Sequence, residues 1–182
     1  MNAAEHGRLP DSVVRYGIRR LLKTRLSDLE KVDDVDAAQR FIDRTLNEPI
    51  AVQSDAANEQ HYEVPANFFQ HVLGPHLKYS SCYWPDGVTS LEAAENEALQ
   101  VTCENARLED GLKILELGCG WGSLSLWMAE KYPSSQITSV SNSASQRRYI
   151  EFWAAERGLS NLTVVTADMN DFSTEDSYDR VV

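Results

Sequence analysis

Apolar residues recur at helical spacing through the first half of the chain. In the last third they form short runs separated by further helical stretches. From Asp11 to about Lys31, Val14, Ile18, Leu21, Leu22, Leu26 and Leu29 fall three or four residues apart, with Arg15, Arg19, Arg20, Lys23 and Arg25 among them. A second helix is expected from Ala37 to about Leu46, with Phe41, Ile42 and Leu46 on its inner face and Pro49 closing it. Pro65 suits the first turn of a third helix, whose apolar face is Phe68, Phe69, Val72 and Leu73 and whose end is Gly74-Pro75. Thr89-Ser-Leu-Glu92 reads as a capping box that opens a fourth helix running to about Arg107.

From Lys113 the period alternates. Strand 113–117, helix 121–132, strand 136–140, helix 143–157 and strand 162–166 follow with short links, and a further strand starts at Asp179. Ser143-Ala-Ser-Gln146 is a second capping box, and Gly158 a helix stop. This order predicts an α/β fold with a parallel, doubly wound sheet. Val181 and Val182 read as the first half of a buried strand, so the chain is expected to be an N-terminal fragment.

Composition narrows the function classes. The 182 residues allow a sizeable core, and 42% apolar with 25% charged is ordinary for a globular protein. A net charge of −11 argues against nucleic acid as a partner, because phosphate contacts need a basic surface. No apolar run approaches 18 residues, so no stable membrane insertion is expected. The basic amphipathic helix at 11–31 leaves two readings open: packing on its own domain, or lying on a membrane surface. Three cysteines without C-x-x-C spacing suggest neither a disulfide framework nor a metal site, and a cytoplasmic setting fits them.

The densest chemistry lies in Lys113-Ile-Leu-Glu-Leu-Gly-Cys-Gly-Trp-Gly122. A buried strand runs into glycines at 118, 120 and 122, and Leu124, Trp127 and Met128 then share one helical face. Such a turn brings backbone close to a ligand, at a helix end whose N–H groups are free. A dinucleotide fingerprint needs glycine or alanine at position 123, where Ser123 stands. With Glu116 the stretch becomes E-x-G-x-G-x-G, which resembles motif I of S-adenosylmethionine (SAM) methyltransferases.

Other blocks extend the resemblance in order: Asn58-Glu-Gln-His-Tyr-Glu-Val-Pro65, Leu77-Lys-Tyr-Ser-Ser-Cys-Tyr-Trp84, Ser141-Asn-Ser-Ala-Ser-Gln146, Gly158-Leu-Ser-Asn-Leu162 and Ala167-Asp-Met-Asn-Asp-Phe172. Together they resemble the cyclopropane-fatty-acid-synthase-like methyltransferases, in the coclaurine N-methyltransferase-like branch. The resemblance implies the first half of a Rossmann-like SAM-methyltransferase sheet behind an all-helical segment. Residues 1–110 would form a helical cap on the substrate side, and 111–182 the cofactor domain. It implies SAM as cofactor and methyl transfer to a small-molecule amine, with lipid cyclopropanation as the alternative.

The implied cofactor residues are Tyr79 and Ser80 at the ligand's carboxylate, and Glu116, Gly118 and Gly120 at its methionine part. Ser141, Asn142 and Gln146 would take the ribose, Asp168 and Met169 the adenine. Asn142 stands where dinucleotide enzymes carry a ribose carboxylate. Ser81 stands where the cyclopropane synthases have cysteine, which counts against cyclopropanation. The catalytic base is expected beyond Val182, so the fragment alone is expected to be inactive. His61 is either near the acceptor or a cap for the helix at Pro65. Cys119 reads as a small loop residue rather than a nucleophile, and Cys103 as core.

Overall fold

The computed structural model describes residues 9–30, 37–50 and 65–182. The chain divides into two units, Met1–Glu48 and Pro49–Val182. In the first unit α1 is Asp11–Glu30 and α2 is Ala37–Thr45, and neither contains a buried residue. Leu21 is 73% exposed and Leu46 77%, so the inner face expected of the second helix lies exposed, as does the apolar stripe of α1. Periodicity tells which face of a helix is apolar, and nothing about what covers it. Among the described residues no helix is long and apolar enough to cross a membrane.

The second unit opens with α3 (Ala66–Val72) and α4 (Leu91–Asn105). There follow β1 (Lys113–Leu117), α5 (Ser123–Lys131), β2 (Gln136–Ser141), α6 (Ala144–Glu156), β3 (Leu162–Thr166) and β4 (Arg180–Val181). The strands form one parallel sheet in the order β3-β2-β1-β4, with Leu117 opposite Val140 and Leu115 opposite Val181. The α/β class, the alternation and the strand positions agree with the sequence pattern. Each strand connection must cross back over the sheet, so helices lie on its faces and the strands read as apolar runs. Ile114 and Ile137 pack with Met128, Ala129, Cys103, Leu108 and Tyr132, while Leu126, Ile150, Ala154 and Val164 make a second cluster with Cys119.

Helix ends show where the local reading slipped. Ser90, not Thr89, caps α4, its Oγ accepting the Ala93 N–H at 3.2 Å. Glu92 thereby falls in the first turn, where its charge favours the helix dipole. Ser143 caps α6 as expected, but Gln146 does not complete the box. Its Oε1 accepts from Ser141 Oγ at 2.7 Å, and the Ser143 N–H donates to that same hydroxyl. Gly158, at φ +67°, ends α6 with paired bonds from Gly158 N–H to Ala155 O and from Leu159 N–H to Ala154 O. In α3 only Phe69 is buried, and Phe68 and Val72 stay exposed.

Gly122 is the N-cap of α5 at φ +80°, and a Cβ there would lie 2.6 Å from Ile150 Cγ1. Gly111 has a similar φ of +90° but open space around it. Gly122→Ala should therefore lose both the backbone term, about 1–2 kcal/mol, and an overpacking term of about 1–3 kcal/mol. Gly111→Ala should lose only the first. Chemical denaturation of the two variants tests this, and equal losses would contradict the packing assignment.

Candidate functional site

β1 has β2 on one side and β4 on the other, so the strand order reverses there. Open parallel sheets hold ligands in the crevice beyond the carboxyl ends of strands at such a point. A cavity of about 370 Å³ lies there, lined at the strand ends by Glu116, Leu117, Gly118 and Val182. A second, of about 160 Å³, is lined by Val140, Ser141, Asn142, Gln146 and Met169. Gly118 and Gly120 line both, so the glycine turn separates two lobes of one site.

The three glycines have different work. Gly118 and Gly120 sit at φ +83° and +54°, with nothing within 4 Å of where a Cβ would stand. Those two leave space for a ligand against the backbone, whereas Gly122 is closed by Ile150. Trp121 is 3% exposed and inserts between Phe69 of α3 and Tyr149 of α6, with ring centroids at 5.0 and 5.4 Å. The turn is thereby anchored to both helices.

Glu116 is buried and lines the larger lobe. Ser125 Oγ of α5 and Ser139 Oγ of β2 both donate to its Oε2, at 2.5 and 2.8 Å, which leaves Oε1 for a ligand. Burial raises its pKa, and the two serine hydroxyls oppose that shift. Cys119 beside it is pushed up to about 12 by burial and by the Glu116 charge, so it is a neutral thiol at physiological pH. Cys103 is core, as expected.

In the smaller lobe Gln146 is 2% exposed, and its Nε2 has no hydrogen-bond partner. A buried amide donor left unpaired at a cavity wall is the kind of group a ligand oxygen satisfies. Met169 lines this lobe, but Asp168 does not. Asp168 Oδ1 accepts the Asn170 N–H at 2.8 Å, and its carbonyl accepts from Asp171 and Phe172, so it shapes the turn after β3. Tyr79 and Ser80 line the larger lobe and are exposed. His61 lies outside the described residues.

The structure thus brings Tyr79, Ser80, Glu116, Gly118 and Gly120 to one cavity, and Ser141, Asn142, Gln146 and Met169 to the adjoining one. Sequence reasoning missed Ser125, Ser139, Lys78 and Trp121. A serine at an interior position of β2, facing a glutamate on its neighbour strand, was the available signal for Ser139.

Comparisons with known proteins bear on the family and the fold. The family described as Mycolic acid cyclopropane synthetase matches residues 51–182. (S)-Coclaurine N-methyltransferase of Thalictrum flavum subsp. glaucum is 36% identical over 181 residues, covering 98% of this chain and 50% of that protein. Cyclopropane-fatty-acyl-phospholipid synthase of Escherichia coli strain K12 is 36% identical over 126 residues, covering 68% of this chain and 31% of that protein. The crystal structure of coclaurine N-methyltransferase bound to N-methylheliamine and SAH superposes with a TM-score of 0.85 at 33% identity, over 99% of this chain and 53% of that one. The chain spans half the length, or less, of these two curated relatives.

A raised folded pKa means that the native chain holds the Glu116 proton more tightly than the unfolded chain does. Its contribution to stability is then full below the ordinary carboxylate range and falls as pH rises through that range towards the folded pKa. Glu116→Gln removes the titration while keeping an oxygen for both serines. It should melt above wild type at pH 8, with the gap closing towards pH 4. A gap independent of pH would contradict the buried-carboxylate assignment.

Proposed function

The chain belongs to the mycolic acid cyclopropane synthetase family, and from that premise we propose that its activity is methyl transfer from SAM to a small-molecule amine. The observation that carries this reading is the pair Gly118 and Gly120, held in left-handed backbone over open space where the two lobes meet. The residues present fit such a cofactor. In this reading Tyr79, Ser80 and Glu116 take its amino-acid end, Ser141, Asn142 and Gln146 its ribose, and Asp168 and Met169 its adenine. The unpaired Nε2 of Gln146 supports the ribose assignment. Residues 1–110 are proposed as the acceptor-side segment and 111–182 as the cofactor domain.

When bound, SAM supplies a methyl group made electrophilic by the sulfonium. The chain's part is then to hold the donor in line with the acceptor and keep water from the lobe that carries it. An amine acceptor is favoured by the relative from Thalictrum and by the crystal complex with N-methylheliamine, both described by name as N-methyltransferases. Cyclopropanation of a lipid chain is the second reading. The E. coli relative favours it, and so does α1, with exposed leucines beside five basic residues. A cytoplasmic site of action belongs to the same proposal, supported by Cys82, Cys103 and Cys119 all being free thiols.

Gly120→Val should weaken binding of S-adenosylhomocysteine at least tenfold by calorimetry, because its side chain enters the ligand's space. Unchanged affinity would remove the glycine turn from the site. With an amine acceptor and saturating SAM, turnover should rise with pH through the amine's own pKa, since only the free base has a lone pair to attack. A flat profile would favour the lipid reading.

A further inference from the structure

The cations of α1 follow an order that the cofactor site does not use. Arg15, Arg19, Arg20, Lys23 and Arg25 fall close together along the helix, and all are exposed. The carboxylates of α1 stand at its two ends, Asp11 at the start and Asp28 and Glu30 at the finish. Asp11 pairs with Arg15 at 2.7 Å. Arg19, Arg20 and Lys23 have no carboxylate three or four positions away in the helix. They have one another instead, with Arg15, Arg19 and Lys23 at steps of four and Arg20 three before Lys23. Like charges at those spacings repel and weaken a helix. An anionic surface laid along the row relieves that repulsion.

The apolar residues of α1 form a stripe beside this row. At about 3.6 residues per turn, Val14, Ile18, Leu21, Leu22, Leu26 and Leu29 share an arc of roughly 140°. Ile18 and the four leucines are each more than half exposed. Arg19 and then Lys23 border the arc on one side, while Arg15 and Arg25 stand within it. A dry protein surface over that stripe would bury two guanidinium groups together with the leucines, which is costly. At a bilayer surface the leucines enter the acyl boundary while the guanidinium groups bend back to the phosphates.

Charge singles out α1 within the chain as well. The whole chain carries −11, so an anionic surface repels it at large and attracts it only where cations are concentrated. α1 is not long and apolar enough to cross a bilayer, which leaves a position parallel to the surface.

We propose that α1 attaches this chain to a membrane surface carrying anionic phospholipids, lying in the headgroup plane with its leucine stripe inward and its cations on the phosphates. The attachment does not depend on which methyl acceptor the site takes.

The test is co-flotation of the 182-residue chain with two kinds of vesicle, phosphatidylcholine alone and phosphatidylcholine with phosphatidylglycerol in equal parts. Wild type should float at least tenfold better with the anionic vesicles, and added salt should abolish the difference. Arg19→Gln combined with Lys23→Gln should lose at least tenfold of that binding, whereas Arg19→Lys, which keeps the charge, should retain it. Leu22→Gln combined with Leu26→Gln should lose it too. All four residues are exposed and glutamine is a good helix former, so circular dichroism of the variants in solution should match wild type. Equal flotation with both vesicles, or with neither, overturns the proposal, as does wild-type binding by either double variant. A wild type that floats with neither and sediments as a dimer, while the double leucine variant sediments as a monomer, would assign the stripe to a second copy of this chain instead.

Discussion

Between Leu117 and Ser123 the chain must leave a buried strand and enter a helix, and it does so with three left-handed residues in five, Gly118, Gly120 and Gly122. That backbone constraint governs the rest of the second unit. A side chain at any of the three would be strained, and only glycine adopts such angles freely. What differs is the surroundings. Two of the glycines face the cavities, while the third lets α5 approach α6 closely enough for Ile150 to fill the gap. One turn therefore both builds the site and closes the core behind it.

The polar interior follows from the same geometry. Putting Glu116 at the end of β1 buries a carboxylate, which costs several kcal/mol unless hydrogen bonds replace the lost water. Ser125 and Ser139 supply those bonds from the neighbouring helix and strand. Three elements are thus joined at one polar group. Aromatic rings do the corresponding work on the outside of the turn, running from Phe69 through Trp121 and Tyr149 to Trp153. The two walls of the site are braced by unlike forces.

Much of the second unit was legible in the sequence because buried parallel strands and glycine turns leave strong local marks. β1, β2 and β3 fell within a residue of their expected bounds, and the glycine stretch led directly to the cavities. The misses share a cause. Phe41 and Ile42 have helical spacing, yet their exposure depends on tertiary neighbours that spacing does not encode. Thr89 and Ser90 can both cap a helix, and the position where α4 begins decides between them. The strap from Gly74 to Ser80 was passed over because Glu95, whose carboxylate accepts the backbone N–H groups of His76 and Lys78, lies 17 residues beyond Lys78 in sequence.

That strap links two positions more tightly than their separation suggests. A Cβ at position 74 would run into the Glu95 carboxylate, so Gly74 is the space into which that carboxylate fits. The two sites then cannot drift independently. A side chain acquired at 74 has to displace that carboxylate, and a shorter residue at 95 leaves the N–H groups of His76 and Lys78 without their acceptor. Among descendants of this sequence, the glycine and the glutamate should be inherited or lost as a pair.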